Sequence, residues 1–132
     1  MSLDTQRLHE LVPLAATLGI RLLNAGPDEV ALELDWREEL CTAAGVLHGG
    51  ALMSLADTAG AVCAYLNLAG DRQGTTTIES KTNLLAAVRG GVVSAASAPL
   101  HVGSRLIVVE TTLRSEGDRL VAKTIQTQAV LG

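Results

Sequence analysis

The sequence predicts an α+β domain in which an antiparallel β-sheet wraps around one long hydrophobic helix. The first observation is the order of elements, since a short helix and two strands precede a long helix and four strands follow it. The second is that the long helix, residues 48–67, is apolar almost all round and must therefore be enclosed. The third is that short glycine-containing turns separate the last strands, which favours antiparallel pairing.

The N-terminal third is predicted to form one broken helix and two strands. Residues 4–19 favour a helix, with Asp4 as its N-cap and Pro13 as the residue that breaks or restarts it. Residues 20–26 and 29–36 favour strands that are joined by a turn at a Gly-Pro-Asp sequence. Apolar and acidic side chains alternate in the second strand, as expected for a strand with one buried face.

The rest of the chain is predicted to contain the long helix and four strands. A loop over residues 37–47 leads into the helix. The four strand segments that follow the helix are 75–88, 92–103, 104–115 and 119–130. Gly90-Gly91 and Gly117-Asp118 separate neighbouring strands, and both pairs are typical of hairpin turns because these residues tolerate positive φ angles.

The composition indicates one globular domain over residues 1–132 and argues against a nucleic-acid-binding protein. A chain of 132 residues with 48% hydrophobic and 18% charged residues can bury a core and is not typical of a disordered protein. The net charge is −4 and no basic cluster exceeds a pair, whereas nucleic-acid binding needs clustered Lys and Arg. Trp36 and Tyr65 are the only aromatic residues, so the chain has no platform on which bases could stack.

The sequence carries no signal for secretion, membrane insertion or metal binding. The longest apolar stretch, residues 51–69, contains too many polar residues to span a membrane. The N-terminus lacks the apolar core of a signal peptide, and Met1-Ser2-Leu3 is compatible with a tag remnant before a helix that begins within residues 1–13. Cys41, Cys63 and three scattered histidines lack the spacing of a zinc site. We therefore expect a cytoplasmic protein with two reduced thiols and no metal or cofactor.

The Gly49-Gly50 pair at the start of the long helix is a candidate site for an oxygen atom of a ligand. The first N–H groups of a helix have no partner within the helix, and the helix dipole adds positive potential there. Glycine lets a ligand approach the backbone closely, so the site could hold a phosphate or the oxyanion of acyl transfer. The alternative is a tight turn in which glycine serves packing alone.

Asp57 is the candidate catalytic carboxylate, because it stands in an otherwise apolar part of the helix and is expected to be buried there. Three of its four helical neighbours are small, which indicates a crevice beside the carboxylate: Met53, Ser54, Gly60 and Ala61. A buried carboxylate must be paired, hydrogen-bonded or used in chemistry. The structural alternative is a carboxylate that is hydrogen-bonded to Ser54 or to a neighbouring strand.

The spacing between Gly49 and Asp57 limits how the two could act together. Eight residues of helix place them about 12 Å apart along the axis. Reacting groups must approach to about 3 Å, so Asp57 cannot act on a carbonyl held at Gly49 of its own helix. Either the two features are unrelated, or Asp57 of one chain acts at Gly49 of another in a two-fold dimer.

The order of these motifs resembles the hotdog-fold thioesterases, specifically their phenylacetic-acid-degradation (PaaI-like) branch. The pattern of that branch is G-x-x-H-G-G, here residues 45–50, followed by an acid on the helix, here Asp57. Thr-x-Asp/Glu on the next strand corresponds here to residues 77–79. A glycine-bounded hairpin and the Asp-Arg-Leu-Val-Ala motif at 118–122 continue the resemblance, which covers roughly residues 14–130.

The resemblance implies hydrolysis of an acyl-coenzyme A thioester in a homodimer or homotetramer, with coenzyme A as part of the substrate. The Gly49 N–H would polarise the thioester carbonyl, and Asp57 of the partner subunit would either attack the carbonyl or activate water. His48 would orient the thioester or the loop, and Thr77 would position the water. Small residues near these groups are the candidate substrate contacts: Gly50, Ser54 and Ala61.

Ordinary structural roles stay open for two of these residues. His48 could be a loop histidine bonded to backbone, and Thr77 could serve β-sheet propensity alone. The chain also departs from the branch at Thr42, which stands six residues before His48 where Asn or Gln is usual. We include Thr42 among the catalytic candidates and expect the exchange to weaken activity or to move the water. Leu84 and Ala87 replace a usual Tyr-x-x-Pro, which we expect to change the shape of the pocket.

Two other classes of function remain open beside the thioesterase. A hotdog hydratase or dehydratase would also use a histidine and an acid, although its usual motif is missing. A non-catalytic acyl-CoA-binding module would be favoured by Thr42. A serine hydrolase is disfavoured because the chain has no G-x-S-x-G motif. The acyl group could be aromatic or a short or medium chain.

Overall fold

The computed structural model describes residues 2–132, so Met1 of the predicted tag remnant lies outside it. The helices are α1 (Thr5–Leu11), α2 (Pro13–Leu18) and α3 (Gly49–Leu66). The strands are β1 (Arg21–Ala25), β2 (Val30–Asp35), β3 (Gly74–Leu84), β4 (Val92–Val102), β5 (Leu106–Ser115) and β6 (Arg119–Leu131). The predicted α+β hotdog fold, with a sheet against one long helix, is confirmed.

The N-terminal helix is broken where the sequence predicted. Asp4 caps α1, since its side chain accepts a hydrogen bond from the Arg7 N–H at 2.8 Å. Pro13 begins α2, where its missing N–H costs no helical hydrogen bond. Gly19 ends α2 with a φ of +73°, a conformation that favours glycine. Both helices bury one side chain in the core, Leu8 from α1 and Ala15 from α2.

The sheet is antiparallel with the strand order β1-β2-β4-β5-β6-β3, and α3 packs against β2, β3, β4, β5 and β6. Side chains of β2, β4 and β5 alternate between buried and more exposed positions, which places one face of the sheet against α3. The edges of the sheet are β1 and β3. The long strand that follows α3 is therefore an edge strand.

The predicted hairpin at Gly90-Gly91 is wrong, and β3 ends at Leu84 rather than at residue 88. β3 pairs with β6, while β4 lies between β2 and β5, so the segment 85–91 crosses from one part of the sheet to another. At the start of this segment the N–H groups of Leu85 and Ala86 still donate to the Val121 carbonyl of β6, at 2.8 and 3.2 Å. Further on, the Val88 carbonyl accepts from the Leu47 N–H of the loop before α3 at 2.8 Å. The hairpin at Gly117-Asp118 is confirmed, with φ angles of +80° and +62°.

One face of α3 is left open by the sheet, contrary to the expectation of a fully enclosed helix. We call this face the α3 strip; its residues lie four positions apart: Met53, Asp57, Ala61 and Tyr65. Met53 and Tyr65 are 42% and 58% exposed, and Ala61 is half-buried. Asp57 is exposed within the single chain, so the expected burial of its side chain is wrong. The other faces of α3 carry the buried residues of the core.

Two further predictions concern the cysteines and the membrane. Both cysteines are free thiols; Cys63 is buried and Cys41 is half-buried. Burial raises the pKa of the Cys63 thiol to about 11, because a thiolate would lose its hydration in the core. Within residues 2–132, no helix is both long and apolar enough to cross a membrane.

Candidate active site

The start of α3 leaves one backbone donor free. His48 is the N-cap, and its Nδ1 accepts a hydrogen bond from the Gly50 N–H at 2.7 Å. The His48 carbonyl accepts from the Ala51 N–H at 2.9 Å. The Gly49 N–H has no hydrogen-bond partner in the described part of the chain. It is therefore a donor at the positive end of the helix dipole.

The cap also explains why Gly50 is a glycine. A Cβ atom at Gly50 would lie 2.9 Å from His48 Nδ1, so a side chain would displace the capping ring. Because Nδ1 accepts a hydrogen bond, the proton of a neutral His48 ring lies on Nε2. The bonded histidine that the sequence left as an alternative is thus present, and His48 is also exposed beside the free donor.

A mostly apolar groove of about 360 Å³ runs beside Gly49. It is lined by parts of the loop, of α3 and of the crossover segment: Thr42, Val46, Leu47, Gly49, Leu52 and residues 84–87. A Cβ atom at Gly49 would lie 2.7 Å from Leu84 Cδ1, so the glycine also serves packing. The structure therefore brings the predicted residues Thr42 and Gly49 together at one groove.

A second group of polar side chains lies where α3 packs against β3, and it includes Asp57 and Thr77. The Thr77 hydroxyl donates to Asp57 Oδ1 at 3.5 Å, across the contact between α3 and β3. Gln126 Nε2 on β6 donates to the same oxygen at 3.3 Å, and Gln128 Nε2 donates to Thr77 Oγ1. Asp57 Oδ2 has no hydrogen-bond partner among residues 2–132. The carboxylate is thus bonded to neighbouring strands, the structural alternative that the sequence left open, yet one of its oxygens stays free.

Sequence reasoning missed Gln126 and Gln128. Both side chains are buried on the helix-facing side of β6, at positions where a core strand usually carries apolar residues. The sequence signal was that polar residues stand at alternate positions of a predicted strand, Thr124, Gln126 and Gln128, which places them on one face.

Ser54 and Ala61 are the remaining predicted substrate contacts. The Ser54 hydroxyl donates to the Gly50 carbonyl at 2.8 Å, within its own helix. Ala61 lies on the α3 strip one turn beyond Asp57. Within residues 2–132, neither side chain forms a hydrogen bond to a groove residue, to Asp57 or to Thr77. Their contact with a substrate stays a prediction.

One chain therefore carries two candidate half-sites, the Gly49 N–H and the Asp57 carboxylate, which do not meet. α3 is continuous from Gly49 to Asp57, so the free N–H and the free carboxylate oxygen lie about 12 Å apart along the axis. The first half can polarise a carbonyl oxygen, and the second can accept a proton or attack a carbon. Among residues 2–132, no group of three His, Cys, Asp or Glu side chains is arranged to hold a metal ion.

The chain matches a known protein family. Residues 44–122 match the family described as the thioesterase superfamily, and this range is more than half of the chain. The matched range contains all of α3, with Gly49 and Asp57, and also Thr77, whereas Thr42 lies just before it.

Individual relatives cover most of the chain. It is 34% identical over 116 residues to the 1,4-dihydroxy-2-naphthoyl-CoA hydrolase of Escherichia coli, covering 86% of this chain and 83% of that protein. The crystal structure of a thioesterase from Haemophilus influenzae superposes with a TM-score of 0.91 at 25% identity, covering 100% of this chain and 93% of that one. A thioesterase family protein from Silicibacter pomeroyi gives a TM-score of 0.86 at 25% identity, with coverage of 96% and 95%.

Proposed function

Since the chain belongs to the thioesterase superfamily, we propose that it hydrolyses an acyl-coenzyme A thioester to the free acid and coenzyme A. The observation that carries this proposal is the free Gly49 N–H, which lies at the positive end of α3 beside an apolar groove. Such a donor stabilises the oxyanion that forms when a nucleophile adds to a thioester carbonyl. The relative from Escherichia coli, which is named as a CoA hydrolase, supports the same class of substrate.

The proposed site combines the Gly49 half of one subunit with Asp57 of the partner subunit. The Gly49 N–H donates to the carbonyl oxygen, and His48 holds the first turn of α3 in place through its Nδ1. Thr77 holds the attacking carboxylate, and water can bind through a remaining lone pair of its hydroxyl. Thr42 lines the groove and contacts the part of the substrate next to the thioester.

Two routes lead to the same products. As a base, the carboxylate takes a proton from water while the hydroxide adds to the carbonyl carbon, and the C–S bond then breaks. As a nucleophile, the carboxylate forms an acyl anhydride and expels the coenzyme A thiolate; water then hydrolyses the anhydride. In both routes the thiolate finally takes up a proton.

The proposal requires at least a homodimer and is compatible with a homotetramer. The free edge strand β3 and the crossover segment carry exposed apolar side chains that a second copy would cover: Ile78 at 59%, Leu84 at 50% and Leu85 at 56% exposure. Neither a metal nor a cofactor takes part in the proposed steps. A cytoplasmic location and membership of the PaaI-like branch stay predictions.

The test is release of free coenzyme A from a panel of acyl-CoA substrates, followed with a thiol reagent. The panel includes aromatic, short-chain and medium-chain acyl groups, because the apolar groove does not discriminate among them. We expect turnover of at least one class. A protein that binds acyl-CoA without releasing the thiol would instead be a binding module, and loss of an enoyl-CoA absorbance would indicate a hydratase.

A further inference from the structure

Gln126 is a buried amide that reaches Asp57 from the sheet. Its side chain is fully buried, and Nε2 donates to Asp57 Oδ1 at 3.3 Å. Its Oε1 is also buried but has no hydrogen-bond partner in the described part of the chain. An unpaired buried carbonyl oxygen is unfavourable, so this placement needs compensation. Within residues 2–132, the one side-chain hydrogen bond of this amide is the one that Nε2 donates to the Asp57 carboxylate.

Gly60 provides the space through which this amide passes. A Cβ atom at position 60 would lie 1.9 Å from Gln126 Oε1 and 2.5 Å from Gln126 Cδ. Glycine is unfavourable in the interior of a helix relative to alanine. The glycine in the middle of α3 is therefore explained by the Gln126 amide, which could not reach Asp57 past a larger residue.

A second donor reaches the same oxygen of Asp57. The Thr77 hydroxyl accepts a hydrogen bond from Gln128 Nε2 and donates its single proton to Asp57 Oδ1. Gln128 thus sets the direction of the Thr77 proton. Both donors converge on Oδ1, and no donor among residues 2–132 reaches Oδ2.

We propose that Gln126 is a positioning residue for Asp57. Together with Gln128, which acts through Thr77, it forms a clamp that holds Oδ1 of Asp57 in place, so that Oδ2 is the oxygen that reacts. The clamp prevents the carboxylate from rotating, so Oδ2 keeps one direction towards the thioester carbonyl. This inference rests on the proposed function, in which Asp57 supplies the base or nucleophile.

The kinetic test is Gln126→Met, which keeps a similar volume and removes the donor. We expect kcat to fall by roughly 10- to 100-fold with little change in KM, because substrate binding is retained while the carboxylate loses its direction. The matched control is Thr111→Val, which removes a buried hydroxyl from β5 without touching Asp57. An unchanged kcat in Gln126→Met, or an equal loss in Thr111→Val, would overturn the inference.

A second test needs no substrate. The side-chain NH₂ signals of Gln126 in a ¹⁵N-correlated NMR spectrum should shift in the Asp57→Ala variant. They should not shift in the control Asp71→Ala, which removes the carboxylate of an exposed loop residue. Signals that do not respond to Asp57→Ala would overturn the clamp. If the signals respond but no acyl-CoA is hydrolysed by the unmodified protein, the clamp stands and the proposed function fails.

Discussion

At the scale of single residues, the proposed chemistry uses the polar atoms that the fold leaves without partners. The Gly49 N–H and Asp57 Oδ2 are two such atoms in the described chain. By contrast, the Gly50 N–H and the Ser54 hydroxyl form hydrogen bonds at the start of α3. A substrate would therefore meet one directed donor and one carboxylate oxygen in each site.

Asp57→Asn should lower kcat by roughly 100- to 10,000-fold, the scale expected when a positioned base is lost. The amide keeps the size of the side chain but can neither take the proton nor attack the carbonyl. Coenzyme A release under saturating substrate measures the effect, with Asp71→Asn as the control that removes an exposed carboxylate elsewhere. A variant with near-normal kcat would mean that Asp57 serves structure alone.

Single residues also show which parts of the candidate site could be predicted from the sequence. Asp57 and Gly49 were predicted because an acid in an apolar helix and a glycine at a helix start are local signals. Gln126 lies 69 positions from Asp57, and no local pattern connects the two. The exposure of Asp57 could not be predicted either, since it depends on which face of α3 the sheet leaves open.

At the scale of elements, the Arg21 side chain on β1 bonds to acidic side chains on β2, in addition to the backbone pairing of the two strands. Arg21 donates to Glu33 at 2.9 Å and to both oxygens of Asp35 at 2.8 and 2.9 Å. The hydrogen bonds to Arg21 lower the pKa of Asp35 below its ordinary value of 3.8. The ion pair is partly exposed, so its contribution to stability is small.

The stability that Asp35 contributes should depend on pH. Because its pKa is lower in the folded state, the contribution is fully present above pH 3.8 and is lost as the pH falls through the folded-state pKa. Arg21→Gln should therefore lower Tm slightly at neutral pH and by less under strong acid. The control is Arg105→Gln, which removes the same charge from a residue that has no side-chain ion pair in the described chain. A Tm difference for Arg21→Gln that is unchanged in acid would contradict this assignment.

The two glycine turns differ in how well the sequence predicted them. Gly117-Asp118 forms a hairpin because β5 and β6 are neighbours both in sequence and in the sheet. Gly90-Gly91 has equally suitable residues, but β6 takes the place beside β3 and β5 takes the place beside β4. Turn chemistry alone could not predict this crossover, which depends on the order of all six strands.

At the scale of the whole molecule, the proposed site combines groups that lie about 12 Å apart on one α3 helix, so the proposal needs a second copy of the chain. The α3 strip and the edge of β3 are two exposed surfaces that a second copy could cover. A two-fold arrangement with antiparallel α3 helices would bring Asp57 of the partner subunit towards Gly49 at two equivalent places.

Sedimentation in the analytical ultracentrifuge should therefore give a dimer or a tetramer at micromolar protein concentration. Activity measured over the same concentration range should follow the fraction of assembled protein, because the proposed site needs residues of two chains. A monomer that retains full thioesterase activity would contradict the shared site.

Complementation between two inactive variants tests the shared site most directly. Asp57→Ala removes the carboxylate, and Gly49→Val adds a branched side chain beside the free N–H, where we expect it to obstruct the approach of a substrate. The added Cβ atom would also lie 2.7 Å from Leu84 Cδ1. A heterodimer of the two variants has one site with both lesions and one site with neither. Subunit exchange should therefore restore up to half of the unmodified activity per heterodimer. If both variants are folded and exchange subunits but activity never returns, Gly49 and Asp57 do not act across the dimer.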